Sequence, residues 1–171
     1  MLPQRINLIA YSTLAVIICY IDRVNISVAI IPMQEQFGWS DSQVGFIFSS
    51  FYLGYMLTMA LGGYLSDKFG GKRVLGWGVV LWSIFTILTP LAAHNGFFAL
   101  FFIRILMGIG EGVTFPAWHS LYARWIPFNE RTRAIAFTNS GVSIGTIIGY
   151  IGTQMIICLL YTSDAADDDT R

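Results

Sequence analysis

Apolar residues run along this chain in long unbroken blocks, and polar residues gather between the blocks instead of alternating with them. Five blocks approach the roughly 20 residues a helix needs to cross a hydrocarbon layer: about 8–31, 44–65, 74–93, 97–121 and 134–157. A bilayer offers no water to backbone N–H and C=O groups, so blocks of this length are predicted to be helices that satisfy their own hydrogen bonds. The expected fold class is all-α, a polytopic membrane helix bundle with five spans. Pro32 and Gly38 are expected to break the chain after the first span. Ser40, with Gln43 three residues on, reads as a capping box opening the second.

Composition agrees, with 55% hydrophobic and only 12% charged residues and a mean hydropathy of +0.62, values outside the range of soluble domains. Arg5 precedes the first apolar block as in a signal peptide, but no small-residue cleavage site follows, so an uncleaved helix is expected. Basic residues lie in alternate loops: Arg5 before the first span, Lys68, Lys72 and Arg73 after the second, and Arg124, Arg131 and Arg133 after the fourth. The opposite loops hold none, which places the N-terminus in the cytoplasm. Trp39, Trp77 and Trp125 lie near span ends and are expected to be interfacial anchors.

Four ionisable residues interrupt the apolar blocks: Asp22 and Arg23 in the first, Arg104 and Glu111 in the fourth. Each charge near a bilayer centre costs about 2.5–3.5 kcal/mol on insertion scales, so such residues usually line a ligand pathway or pair with one another. Arginine suits a carboxylate because its planar fork donates two parallel hydrogen bonds and keeps its charge. Glu111, in a low-dielectric site, is a candidate to load and release a proton. Arg104 and Glu111 are seven residues apart, which puts them on one helix face about 10 Å apart along the axis, too far to pair easily. Two readings stay open: a substrate and proton site, or structural salt bridges such as Asp22 with Arg104 and Arg23 with Glu111. Tyr52 and Tyr55 could offer hydroxyls to a polyol, though aromatic packing is the commoner fate of such residues. Asn25 and Ser27 read as interhelical hydrogen-bond partners, and Gly141, Gly145 and Gly149 as a small-residue packing stripe. His119 reads as an interface residue.

From Cys158 onward the pattern changes abruptly to Cys158-Leu-Leu-Tyr-Thr-Ser-Asp-Ala-Ala-Asp-Asp-Asp-Thr-Arg171. The codons TGT CTC TTA TAC ACA TCT GAC GCT GCC GAC would encode Cys158 to Asp167 and resemble a transposon-end sequencing adapter, so residues 158–171 are expected to be an adapter-derived tail. Without that tail the ten basic residues lose Arg171 and the ten acidic residues lose Asp164, Asp167, Asp168 and Asp169, leaving nine against six, a net +3. Cys19 is then the one remaining cysteine, so no disulfide or metal pair is expected.

Gly63-Tyr-Leu-Ser-Asp67-Lys68-Phe-Gly70-Gly71-Lys72-Arg73, between the second and third spans, resembles the loop signature of the major facilitator superfamily. Arg104-Ile-Leu-Met-Gly108-Ile-Gly110 is similar to that family's second motif. Within the superfamily, Tyr20-Ile-Asp22-Arg23-Val-Asn25, Gly110-Glu111-Gly-Val-Thr-Phe115-Pro116 and Arg124-Trp125-Ile-Pro127 to Ala134 resemble the anion:cation symporter family, which includes hexuronate and galactonate transporters. The resemblance implies a substrate contact for Arg23, Arg104 and Tyr55, proton coupling for Glu111 and Asp22, and a cytoplasmic gate at Gly63, Asp67, Lys68, Gly70, Lys72 and Arg73. On physical grounds Gly63 is expected to allow close helix approach. Asp67, at the unfavourable end of a helix dipole, needs a partner such as Lys68, Arg131 or a helix N-terminus.

Enzyme signatures such as H-E-x-x-H and G-x-S-x-G are absent from the sequence, Gly70-Gly71-Lys72-Arg73 lacks P-loop spacing, and two histidines at span ends cannot form a metal cluster. The reading is therefore not an enzyme, with no cofactor beyond a coupling proton and no nucleic-acid partner. Residues 1–157 are expected to be a truncated N-terminal transmembrane domain, five spans of a six-helix half, whose partners are the lipid bilayer, a small organic anion and the missing C-terminal half. The full-length parent is expected to transport a sugar acid (hexuronate, galactonate or glucarate) by proton symport in a bacterial inner membrane. A non-transporting receptor or assembly subunit is the competing reading.

Overall fold

A computed structural model describes the backbone of residues 2–168 and the side chains of residues 4–159. Of the expected adapter-derived tail, the side chains from 160 onward lie outside the described residues. Six helices follow one another: α1 (Leu2–Phe37), α2 (Asp41–Phe69), α3 (Gly71–His94), α4 (Phe97–Gly112), α5 (Thr114–Trp125) and α6 (Phe128–Asp168). They make five apolar spans, because α4 and α5 together form the fourth, Phe97–Trp125. The chain is thus an all-helical membrane bundle, with each helix running several residues beyond its apolar block.

Two boundaries depart from expectation. Pro32 lies inside α1, because the loss of one N–H costs less here than exposing Met33 and Phe37. Both pack onto a cluster formed by Ile30, Trp39, Ile47, Ala92, Ala93 and Leu100. The helix ends instead at Gly38, whose φ of 66° only glycine adopts cheaply. The fourth span is interrupted at Val113 because Pro116 has no N–H to give the Gly112 carbonyl four residues back. The capping box forms as expected: Ser40 Oγ accepts from the Gln43 N–H at 3.3 Å, and Gln43 Oε1 accepts from the Ser40 N–H at 2.9 Å.

Packing divides the bundle in two. In one part α4 lies against α2 and α3; in the other α1 lies against α6; no comparable backbone approach joins α1 to α2 or to α4 among the described residues. Small residues make both close approaches. A Cβ on Gly108 would collide with the Phe51 carbonyl oxygen, and one on Gly110 would fall 2.9 Å from the Trp82 nitrogen. The second motif's glycines are therefore the surfaces that α4 presents to α2 and α3. On the other side Gly141, Gly145 and Gly149 seat α6 on α1, each against the backbone of Thr13, Ile17 or Ile21, as the stripe predicts. Gly63 does not serve this purpose: a Cβ there would meet open space, whereas one on Gly62 would lie 3.1 Å from the Val113 Cα. A shift of one residue moves a side chain by about 100° around a helix, which is enough to exchange the two roles.

The tryptophans also divide. Trp77 and Trp125 are exposed, at 70% and 57%, as interfacial anchors would be. Trp39 is buried and stacks on Phe37 at 5.1 Å between ring centroids, so it packs the bundle end instead.

Gly145→Leu is expected to destabilise the α1–α6 seam by about 1–3 kcal/mol, the usual range for overpacking, because a Cβ there lies 2.5 Å from the Ile17 carbonyl oxygen. Gly152→Leu, at a position with nothing within 4 Å, should be near neutral. Thermal unfolding in mild detergent checks the pair, and equal losses would mean the seam is not close-packed in solution.

Candidate functional site

The polar groups inside the bundle gather where α1 faces α2 and α4. Arg23 lies one turn after Cys19 on α1, so both side chains point from the same face. Across the gap Glu111 is carried by the last turn of α4, 1% exposed. Arg23 Nη2 donates to Glu111 Oε1 at 2.6 Å and Nε donates to the same oxygen at 3.1 Å, while the Cys19 thiol donates to it at 2.6 Å. The guanidinium also lies over three rings, with its Cζ 4.9 Å from the Tyr20 centroid, 5.1 Å from Phe51 and 4.9 Å from Tyr55. Aromatic faces stabilise a cation that has left water.

Arg104 is held differently. It is 3% exposed and has no carboxylate partner among the described residues. Nη1 donates to the Met107 sulfur at 3.4 Å, Cζ lies 5.0 Å from the same Phe51 ring, and Nε is buried without a partner. Asp22 accepts from the Thr86 hydroxyl at 3.4 Å. Asp22, Asn25, Thr86, Thr89 and Arg104 share the wall of a cavity of about 260 Å³ between α1, α3 and α4. Of the two salt bridges weighed from the sequence, Arg23 with Glu111 forms and Asp22 with Arg104 does not. Arg104 and Glu111 do not pair with each other, as their spacing implies. Arg23 and Arg104 share the Phe51 ring.

The Gly63–Arg73 residues form a separate cluster at the α2–α3 junction. Gly70, at φ 88°, is the single residue between the two helices. Asp67 finds its partners on α5 instead of at Lys68 or Arg131: Arg124 Nη2 lies 3.8 Å from Asp67 Oδ1 and donates to its carbonyl at 3.3 Å, and the Ser120 hydroxyl donates to Oδ1 at 3.5 Å. Lys68 lies over the Tyr64 and Phe69 rings, and Arg131 donates to the Ala123 carbonyl at 2.9 Å. Lys72 and Arg73 begin α3 beside this turn. His119 stacks on Trp118 at 3.8 Å, outside both clusters, and the exposed Asn25 accepts from Thr153 on α6 at 3.3 Å, as an interhelical partner would.

Sequence reasoning did not single out Cys19, Phe51 or Thr86 for this site. The first was legible in its four-residue spacing from Arg23. Phe51 and Thr86 carry no charge or motif, and only the packing of α2 and α3 against α4 brings them in.

Five apolar spans with buried cations and carboxyls gathered between them define an integral membrane protein of the helical-bundle class. The chain belongs to the Major Facilitator Superfamily, whose profile matches residues 12–161. It is 47% identical over 155 residues to a protein of Oryza sativa subsp. japonica named probable anion transporter 4, chloroplastic, covering 91% of this chain and 26% of the relative. It is 46% identical to the chloroplastic ascorbate transporter of Arabidopsis thaliana, covering 91% of this chain and 29% of that protein. Among solved structures, a bacterial homologue of the human lysosomal transporter Spinster, inward-facing and occupied, superposes with a TM-score of 0.80 at 29% identity, over 86% of this chain and 31% of the other. The chain therefore spans less than a third of the length of these relatives.

Removing one partner of a buried ion pair strands the other. Arg23→Ala is expected to cost about 3–5 kcal/mol of stability, with much of that regained in the Arg23→Ala/Glu111→Ala double variant. A double-mutant cycle in mild detergent reads the coupling, and additive losses would remove the pair as a link between the two parts of the bundle.

Proposed function

We propose that this chain is part of a transporter that carries an organic anion across a membrane by proton symport, with a sugar acid such as hexuronate, galactonate or glucarate as the substrate class. The observation that carries this reading is the asymmetry of the two buried arginines. Arg23 is neutralised by Glu111, whereas Arg104 is buried with an unpartnered Nε and no carboxylate in contact among the described residues. An incoming carboxylate supplies the missing charge to Arg104. A proton taken up by Glu111 cancels the charge that holds Arg23 and frees that guanidinium for the same ligand. Tyr55, against the Arg23 guanidinium, places a hydroxyl beside it for a polyol chain. Asp22, on the cavity shared with Arg104, is the second carboxyl available to a proton.

Relatives named for anion and ascorbate transport support an anionic substrate, and ascorbate is itself a sugar-acid derivative. A receptor or assembly subunit has no observation in its favour, because such a role gives no reason for an unbalanced buried cation. The basic loops support a cytoplasmic N-terminus in the host membrane. A bacterial inner membrane remains our reading of that host, although the two plant relatives carry chloroplastic names. At the α2–α3 turn Asp67 and Arg124 form a gate latch, with Gly63, Lys68, Gly70, Lys72 and Arg73 shaping the turn around it.

In the full-length parent, Arg104→Ala and Arg23→Ala are each expected to lower hexuronate or ascorbate uptake by about 30-fold or more, the effect of truncating one side of a buried charged contact. Uptake within threefold of the parent would make them structural. Glu111→Gln should lose proton-driven accumulation while still exchanging substrate between the two sides, and retained accumulation would remove it from the coupling. Asp67→Asn should slow turnover while changing stability by no more than about 1 kcal/mol, since its ion pair is exposed.

A further inference from the structure

Three donor groups converge on one oxygen of Glu111 and leave the other with none. Oε1 accepts from Arg23 Nη2, Arg23 Nε and the Cys19 thiol. Oε2 is buried and without a hydrogen-bond partner among the described residues. A buried carboxyl oxygen left in this state is expensive. It also has both lone pairs available, whereas those of Oε1 are committed.

The surroundings leave little else to act on this carboxyl. The ionisable groups facing Glu111 are Cys19, Tyr20, Asp22 and Arg23 on α1, Tyr55 on α2 and Arg104 on its own helix. The middle stretches of α3 and α6, 74–93 and 134–149, contain no ionisable residue. Of these neighbours only Arg23 and Cys19 donate hydrogen bonds to the carboxyl. Cys19 is also 1% exposed.

We propose that Cys19 is a positioning residue for Glu111: its thiol, with Arg23, fixes Oε1 as the hydrogen-bond acceptor and leaves the unpartnered Oε2 as the atom that takes and returns the proton. This rests on the proton-coupling reading of Glu111. In the step itself one proton adds to Oε2 and an O–H bond forms. The sulfur keeps its own hydrogen and remains a donor to Oε1, now the carbonyl oxygen of a neutral acid. The Arg23 guanidinium loses its counter-charge and is freed for the ligand. A thiol suits this task, being a donor with little tendency to give up its proton in an apolar setting.

The test combines a spectroscopic and a transport readout. In this chain, in lipid nanodiscs, the infrared S–H stretch isolated by subtracting the Cys19→Ala spectrum should lie at low frequency and rise in Glu111→Gln, where the acceptor is a weaker amide oxygen. A band that Glu111→Gln does not move would overturn the proposal. In the full-length parent, Cys19→Ala should move the pH profile of uptake toward higher pH by about half to one unit, a three- to tenfold change, because a carboxylate deprived of a donor holds its proton more tightly. Cys19→Ser should restore it, and an unchanged profile, or a shift that serine does not reverse, would overturn the proposal. The proton-coupling reading fails separately: if Glu111→Gln still accumulates substrate on a proton gradient, Glu111 is not the coupling group, while the infrared band still reports whether Cys19 holds it.

Discussion

The interaction on which the arrangement depends is the buried pair between Arg23 and Glu111. Glycine seams join α1 to α6 and α4 to α2, but among the described residues none joins α1 to α4, where the polar contact stands beside the packing of Cys19, Phe51, Trp82 and Met107. Its strength derives from its surroundings, since a guanidinium and a carboxylate at 2.6 Å attract far more strongly away from water than on a surface. The same surroundings make it conditional. A pair of this kind holds only while both members keep their charge, so beside the apolar clusters that α1 shares with α2, α3 and α4 the two parts of the bundle also share one contact that a proton or a competing anion can undo.

Arg104 supplies the complementary half of this logic. Its guanidinium is deep in the bundle, leaning on Phe51 and Met107, which are polarisable but uncharged. Neighbours of that kind reduce the cost of burying a cation without satisfying it. Phe51 is therefore the physical centre of the site: one ring serves both arginines.

Much of this was legible in the chain. Spans follow from apolar length, the first loop from Gly38 and Ser40, and the four intramembrane charges from their cost. The details that escaped are those that depend on the angle of a helix about its axis. Gly62 and Gly63 are equivalent in sequence, yet only one faces α5. Trp39 has the position of an anchor but the environment of a core residue. Asp67 needed a cation, and whether Lys68, Arg131 or Arg124 supplies it is decided by how α5 crosses α2. Pro32 and Pro116 show the same limit, since each has the same chemistry while local packing holds α1 straight through one and lets the fourth span break before the other.

The seam between α1 and α6 has a mechanical consequence. Where Gly141, Gly145 and Gly149 bring the α6 backbone against the backbone of Thr13, Ile17 and Ile21, little room is left for one helix to slide or tilt over the other. Two rods bonded along their length resist bending far more than two rods separated by a soft filling. The α1–α6 pair is thus expected to move as one unit, so that a displacement of α1 carries α6 with it.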